Sequence, residues 1–452
     1  MSLVGTASGL SARTPRATRR ERWAWYLYDF GNSAYAAVVL LAVYAAYFKQ
    51  TVVGGAEGSR LWGIALAVAM LAVALTSPLL GAVADYTGRK KRFLLLFTAL
   101  AVGATAALFF VQKGDVALGM GLFILAEFGY RSAQVFYNAL LPDIAHPEEI
   151  ATISGNGWAI GSAGGIICLL IILPLIVLFP GAQTIRISMA ITAGFYALAA
   201  MPVFLWLPER RQARGLPSGQ TYLSIALARL ARTLRRARTF REFLKFIASY
   251  MVYNGGVLMA LNFASIIGAV LFGMDQQELI LFVIMVNVTN VFGAWAFGKL
   301  ARRIGSRQSL IASLTMMVAV IAGMFMAQTV FAFFVVGALA GFAMAGIQSL
   351  SRTIVSLLSP EQQSTEFYGF FAVAGQSSAF VGPAVYGFVA AGMAVWYQSE
   401  GHVALLAEQM GQRVGILTIG AFLLLGLLVL IFVREGSGGA VAVQAPDDSL
   451  AG

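Results

Sequence analysis

Twelve predominantly apolar runs, each about twenty residues or longer, constrain this chain more than anything else in it. They lie near 24–48, 60–84, 92–112, 116–141, 151–179, 184–207, 243–272, 277–300, 308–328, 330–357, 366–392 and 414–433. An α-helix rises about 1.5 Å per residue, so about 20 apolar residues cross the hydrocarbon core of a bilayer. In that core every backbone N–H and C=O must be paired within the segment, which a helix achieves by itself. The expected fold class is therefore an all-α integral membrane protein with 12 transmembrane helices. Composition agrees: 59% of residues are hydrophobic and 11% charged, which excludes a soluble protein with an ordinary charged surface.

The formal charge of +11 would suggest nucleic acid in a soluble protein, so the placement of the cations decides. With the amino terminus inside, 25 of the 31 Lys and Arg fall on one side of the membrane: residues 13–22, 89–92, 210–245 and 299–307, with Arg352 and Arg434. The other side holds Lys49, Arg60, Lys113, Arg186 and Arg413, and Arg131 falls within a run. This bias predicts cytoplasmic termini and a cytoplasmic linker, and removes nucleic acid as a partner. The predicted units are a basic tail (1–22), a first bundle (23–208), a basic linker (209–241), a second bundle (242–434) and a tail (435–452) expected to be disordered. The first apolar run is too long for a cleaved signal and reads as a retained anchor. In the linker, Leu223, Leu227, Leu230 and Leu234 oppose Arg229, Arg232, Arg235 and Arg236. That pattern predicts an amphipathic helix on the inner leaflet, in contact with anionic lipids. Cys168 is the only cysteine, and His146 and His402 fall in loops, so no disulfide, metal site or cofactor is expected. Neither a P-loop, a nucleophile elbow nor an HExxH stretch is present, and no enzymatic activity is expected.

One charged stretch recurs. Gly81, Asp85, Gly88, Arg89 and Arg92 stand between the second and third runs, and Gly298, Arg302, Gly305 and Arg307 echo them 217 residues later. Pro142 after the fourth run matches Pro360 after the tenth, and Tyr28-Asp29 faces Tyr253-Asn254. The spacing of Gly, Asp, Gly and cations resembles the signature between the second and third helices of the major facilitator superfamily, with Tyr86 where a cation is usual. Two pseudo-symmetric six-helix bundles follow, with a solute site near the midplane between them.

Polar side chains inside the runs are costly in lipid and are therefore candidates for function. In the first run Asp29, Asn32, Ser33 and Tyr35 share much of one helix face; the structural alternative is an interfacial Asp beside the Trp23 and Trp25 belt. In the fourth, Glu127 and Arg131 are four residues apart and neutralise each other, and Gln134, Tyr137 and Asn138 continue the polar surface. Arg131-x-x-Gln134 resembles the fourth-helix signature of proton-linked facilitators; a structural ion pair is the alternative. The second half offers Tyr253, Asn254, Asn262, Asn287, Asn290, Gln348, Arg352 and Gln376, mostly amides suited to a small polar solute. Each could equally join helices, and snorkelling suffices for Arg352. Gly157, Gly161 and Gly165, and Gly337, Gly341 and Ala345, repeat every four residues as helix-packing seams.

Trp25-Tyr-Leu-Tyr28-Asp29-Phe-Gly-Asn32-Ser33, Asn138 to Pro142, Gln348-Ser-Leu-Ser351-Arg352 and Phe367-Tyr-Gly369-Phe together resemble the branch related to fungal autophagy-associated vacuolar amino-acid effluxers and their bacterial homologues. The resemblance implies export or exchange of amino acids, with other cargoes or a non-transporting sensor as alternatives. It implies a cytoplasmic latch of Asp85 and Arg89, with Gly81, Gly88, Arg92, Gly298, Arg302 and Gly305 in the gating loops. The branch usually carries an acid before Gly in the seventh helix. Here Asn254 precedes Gly255, leaving Asp29 and Glu127 as proton acceptors. A monomer in a bacterial inner membrane is expected.

Overall fold

The computed structural model describes residues 17–87, 89–144, 149–209, 221–222, 224–225, 240–358 and 364–434. Twelve helices in it are long and apolar enough to cross a membrane. They are α1 (Arg19–Val53), α2 (Gly55–Thr87), α3 (Lys90–Ala107), α4 (Val116–Ala139), α5 (Ile150–Leu178) and α6 (Ala182–Trp206), then α7 (Arg241–Phe272), α8 (Gln276–Ile304), α9 (Ser306–Met326), α10 (Val330–Leu358), α11 (Ser364–Ser399) and α12 (Ala404–Ile431). The described residues contain no strand.

Local chemistry sets the ends. Thr18 caps α1: its hydroxyl accepts from the Glu21 amide at 3.3 Å, and the Glu21 carboxylate accepts from the Thr18 amide at 3.0 Å. Asp275 and Glu278 repeat the exchange at the start of α8. Gly305 both ends α8 and precedes α9 at φ 89°, a left-handed conformation that a side chain would strain.

Helix pairing repeats between the halves. In the first, α1 packs on α5 and α6, α2 on α4, and α3 on α4 and α6; in the second, α7 packs on α11 and α12, α8 on α10, and α9 on α10 and α12. Adding six to each number in the first set gives the second, so the duplication seen at Gly81 and Gly298 extends to the packing. The halves meet mainly through α2 on α11, with α5 on α8. The glycine seam works as its spacing predicts: a Cβ on Gly161 would sit 2.8 Å from Asp29 Oδ2, and one on Gly164 would overlap the Phe30 carbonyl. Trp25 and Tyr137 stack with centroids 4.4 Å apart and exchange two hydrogen bonds, each side chain donating to the other's carbonyl at 3.2 Å. Cys168 is buried and in no disulfide.

The charged loops hold helix ends. Lys90 Nζ donates to the Ala139 carbonyl at 2.6 Å, at the end of α4. Lys91 Nζ donates to Phe204 O at 2.8 Å and also to Leu207 O, closing the end of α6. In the echo, Arg307 Nη2 donates to Ile431 O at 2.6 Å, the last residue of α12. In each half, then, a cation of this loop satisfies unpaired carbonyls of that half's last helix, where the helix dipole also favours positive charge. Arg89 and Arg92 are exposed, and Arg302 is exposed in the last turn of α8. A Cβ on Gly81 or Gly298 would meet nothing within 4 Å. Gly88, the Asp85 side chain and the predicted amphipathic stretch of the linker lie outside the described residues, as do residues 1–16 and 435–452.

Two of the cations expected in loops on the Lys49 side are helical. α12 begins at Ala404, ahead of the apolar run at 414–433, because Glu408, Gln412 and Arg413 interrupt the hydropathy without interrupting the helix. Arg413 Nη2 donates to Ala327 O at 3.3 Å, just past the end of α9. Lys49 lies within α1 and is 4% exposed, because a carboxylate of the other half neutralises it.

Candidate functional site

A cavity of about 340 Å³ lies between the halves. Six helices line it: α1 (Ser33, Ala36, Ala37, Leu40, Leu41), α4 (Tyr130, Arg131), α5 (Trp158, Ser162, Gly165), α7 (Leu258, Leu261, Asn262, Ala264), α8 (Phe282, Val283, Val286, Asn287, Asn290) and α10 (Met344, Gln348). Arg131 is the single charged side chain of the lining; the amides of Asn262, Asn287, Asn290 and Gln348 come from the second half, with an apolar wall around them. The first half therefore supplies the charge and the second supplies the amides.

Arg131 is held from behind. Its Nε donates to Glu127 Oε1 at 2.7 Å, and its guanidinium lies 5.1 Å from the Tyr130 ring centroid. The two sites differ in exposure: the Glu127 side chain is 0% exposed and that of Arg131 29%. Glu127 Oε2, Tyr35 OH, Asn32 Nδ2 and Ser132 Oγ are all buried, with the Tyr35 hydroxyl against the Glu127 carboxylate and Asn32 against Asp29. The Tyr35 ring packs tilted on that of Tyr130 with centroids 4.7 Å apart, so these groups form a layer behind the lining and outside the cavity wall. Asp29 is half-buried against Gly161 of α5 and also stands behind the wall.

The other candidates separate into liners and struts. Asn262 and Gln348 line the cavity, with Asn287 and Asn290 beside them. The amides of Asn287 and Asn290 also donate to Val283 O at 2.8 Å and Gly341 O at 3.2 Å. Tyr253 is fully buried and its hydroxyl pairs with Ser351 Oγ at 2.7 Å, while Asn254 Nδ2 donates to Ser378 Oγ at 2.6 Å; neither belongs to the lining. Gln134 and Gln376 are half-buried and Asn138 and Arg352 exposed, all outside the lining. Hydropathy reading passed over Trp158 and Ser162. Their signal is positional, since both flank the Gly157/Gly161/Gly165 seam on α5 and so cannot point away from the bundle.

Sequence reasoning also missed a polar seal between the halves at the Lys49 end of the bundle. Lys49 of α1 forms a buried ion pair with Glu408 of α12. Gln412 of α12 donates to Ser59 Oγ of α2 at 2.7 Å and accepts from Tyr386 OH at 2.7 Å. Trp62 Nε1 donates to Asn262 O at 3.1 Å. Gln276 Nε2 donates to Ala42 O at 2.7 Å, and Ser265 Oγ bonds to Leu41 O. Among the described residues, no cluster of His, Cys, Asp and Glu could hold a metal ion.

Comparison with known proteins fits this geometry. The family profile described as "Vacuole effluxer Atg22 like" matches residues 61–392. The "Uncharacterized MFS-type transporter YxiO" of Bacillus subtilis (strain 168) is 26% identical over 445 residues, covering 96% of this chain and 99% of that one. Autophagy-related protein 22-1 of Neosartorya fischeri is 24% identical over 321 residues, 65% of this chain and 50% of the fungal protein. Among solved structures, the nucleoside transporter NupG superposes with a TM-score of 0.71 at 13% identity, over 91% of this chain and 99% of that one. A bacterial homolog of the human lysosomal transporter Spinster, in an inward-facing and unoccupied conformation, gives 0.68 at 13% identity, over 92% and 95%.

Proposed function

This chain belongs to the Atg22-like vacuole effluxers of the major facilitator superfamily, and we propose that it carries small zwitterionic or anionic solutes, amino acids first, by alternating access as an exporter or exchanger. That it is a multi-pass membrane transporter of the facilitator type is the premise. The observation that carries the cargo class is the lining: one guanidinium, facing amides, and no acid. A carboxylate on the solute would pair with Arg131, whose fork of donors matches two carboxylate oxygens. Asn262, Asn287, Asn290 and Gln348 would orient the rest of the solute from the other half.

A proton is the proposed coupling ion. The Glu127 carboxylate is fully buried between Arg131 and Tyr35, so a proton placed there has an acceptor and little competition from water. Protonation would weaken the hold of Glu127 on Arg131 and release the guanidinium to the solute. Asp29, behind the same wall, is the second candidate acceptor.

Positive charge fixes the proposed orientation. In this reading the Lys91 and Arg307 loops face the cytoplasm, which puts the Lys49 seal on the outer side. The membrane is a bacterial plasma membrane in this reading, as the Bacillus relative suggests.

The test is flux in proteoliposomes across an amino-acid panel, with and without a pH gradient. We expect counterflow of at least one amino acid, stimulated by the gradient, and its loss in Arg131→Gln. No flux of any amino acid would overturn the cargo, and flux indifferent to the gradient would overturn the coupling.

A further inference from the structure

The half of α1 that ends at Val53 departs from α winding. Residues Ala36–Ala42 and Phe48–Val53 are π-helical, and the change of winding falls at Val43, with φ −112° and ψ −60°. π-Segments within α-helices concentrate at functional places. Here the segment has contacts of two kinds. Toward its own half it is pinned by two tyrosines: Tyr44 OH donates to Gly119 O and Tyr47 OH to Val111 O, each at 3.0 Å. Toward the other half it offers the carbonyls just before the change of winding, Leu41 O to Ser265 and Ala42 O to Gln276, and then Lys49 to Glu408.

We propose that this π-wound strip is a clasp: carried by the first half, it holds the second shut at the Lys49 end through the Leu41 and Ala42 carbonyls and the Lys49 ammonium. Opening that end breaks all three contacts while Tyr44 and Tyr47 keep the strip on its own half. Leu41 stands at both places, a residue of the cavity lining whose carbonyl is in the clasp. Whatever fills the cavity against Leu41 therefore bears on the grip. The clasp rests on the alternating-access reading but not on the cargo, and its test uses no cargo.

The test is a distance measured between spin labels at Lys113→Cys, on the α3–α4 connection, and Glu400→Cys, on the α11–α12 connection. Both are exposed at the clasped end, and Cys168→Ala removes the buried native thiol. In nanodiscs, Ser265→Ala/Gln276→Leu removes two donors and is expected to raise the ratio of long to short distances about tenfold. Gln276→Leu alone, at a half-buried position that tolerates the change, is expected to give about a threefold rise if the double variant does not fold. Glu408→Lys sets two cations against each other and should open this end further, and Lys49→Glu/Glu408→Lys should return the distribution toward the parent. Unchanged distances in the donor variants, or a swap that opens as far as Glu408→Lys alone, would overturn the clasp.

Discussion

Removing Arg131 should damage this protein far more than removing the carboxylate that holds it, although the two form a single ion pair. The Glu127 side chain is 0% exposed and accepts from Arg131 Nε at 2.7 Å. Arg131→Gln therefore leaves a buried carboxylate without its counter-charge and with only the Tyr35 hydroxyl against it, a situation that costs about 3–5 kcal/mol. Glu127→Gln leaves Arg131 with a side chain 29% exposed to the cavity, where water can take up the lost bond, and the cost falls to about 1–3 kcal/mol. The two changes combined remove the stranded charge, so the double variant should be more stable than Arg131→Gln alone by about 1–3 kcal/mol. Unfolding by SDS titration in mixed micelles reads all four corners of this cycle. Losses that add within about 0.5 kcal/mol would refute the reasoning, because they would mean that neither residue depends on the other for its burial.

Three further outcomes follow from the packing. Gly164→Ala places a methyl on the Phe30 carbonyl and should lower the yield of monodisperse protein sharply, whereas Gly81→Ala, with nothing within 4 Å, should be neutral in the same size-exclusion assay. Lys91→Met removes the donor to Phe204 O and Leu207 O and should destabilise by about 1–3 kcal/mol, as should Arg307→Met through Ile431 O; thermal unfolding in detergent measures both. Tyr253→Phe should cost about 1 kcal/mol through the lost bond to Ser351 while leaving KM for the transported solute unchanged, since Tyr253 is outside the lining; a raised KM would return it to the site.

The architecture was legible because its cause is long-ranged and repetitive. Lipid demands some twenty apolar residues per crossing whatever the sequence, and duplication left both a motif and an offset to measure. Arg131, Asn262 and Gln348 were legible for the same reason: a polar group in lipid must face the interior. What could not be read was which interior each polar group faces. Tyr253 and Asn262 look alike in sequence, yet one is bonded to Ser351 and the other lines the cavity, and only the rotation of α7 against its neighbours decides. Lys49 and Glu408 failed differently. Each alone reads as a loop charge, and they become buried only because residues far apart in sequence neutralise each other where α1 meets α12. Hydropathy scores residues singly and cannot see that cancellation.

The lysines that close α4 and α6 also have an earlier task. While the chain is being inserted, Lys90 and Lys91 are counted with Arg89 and Arg92 in deciding which side of the bilayer a segment keeps. Once the helices assemble, the same ammonium groups are spent on the carbonyls of Ala139, Phe204 and Leu207, and only the arginines still face solvent. A neutral residue at Lys91 thus acts twice, first on the fraction of chains that acquire the right topology and later on the stability of those that do. Protein recovered in the correct orientation would report the second effect alone.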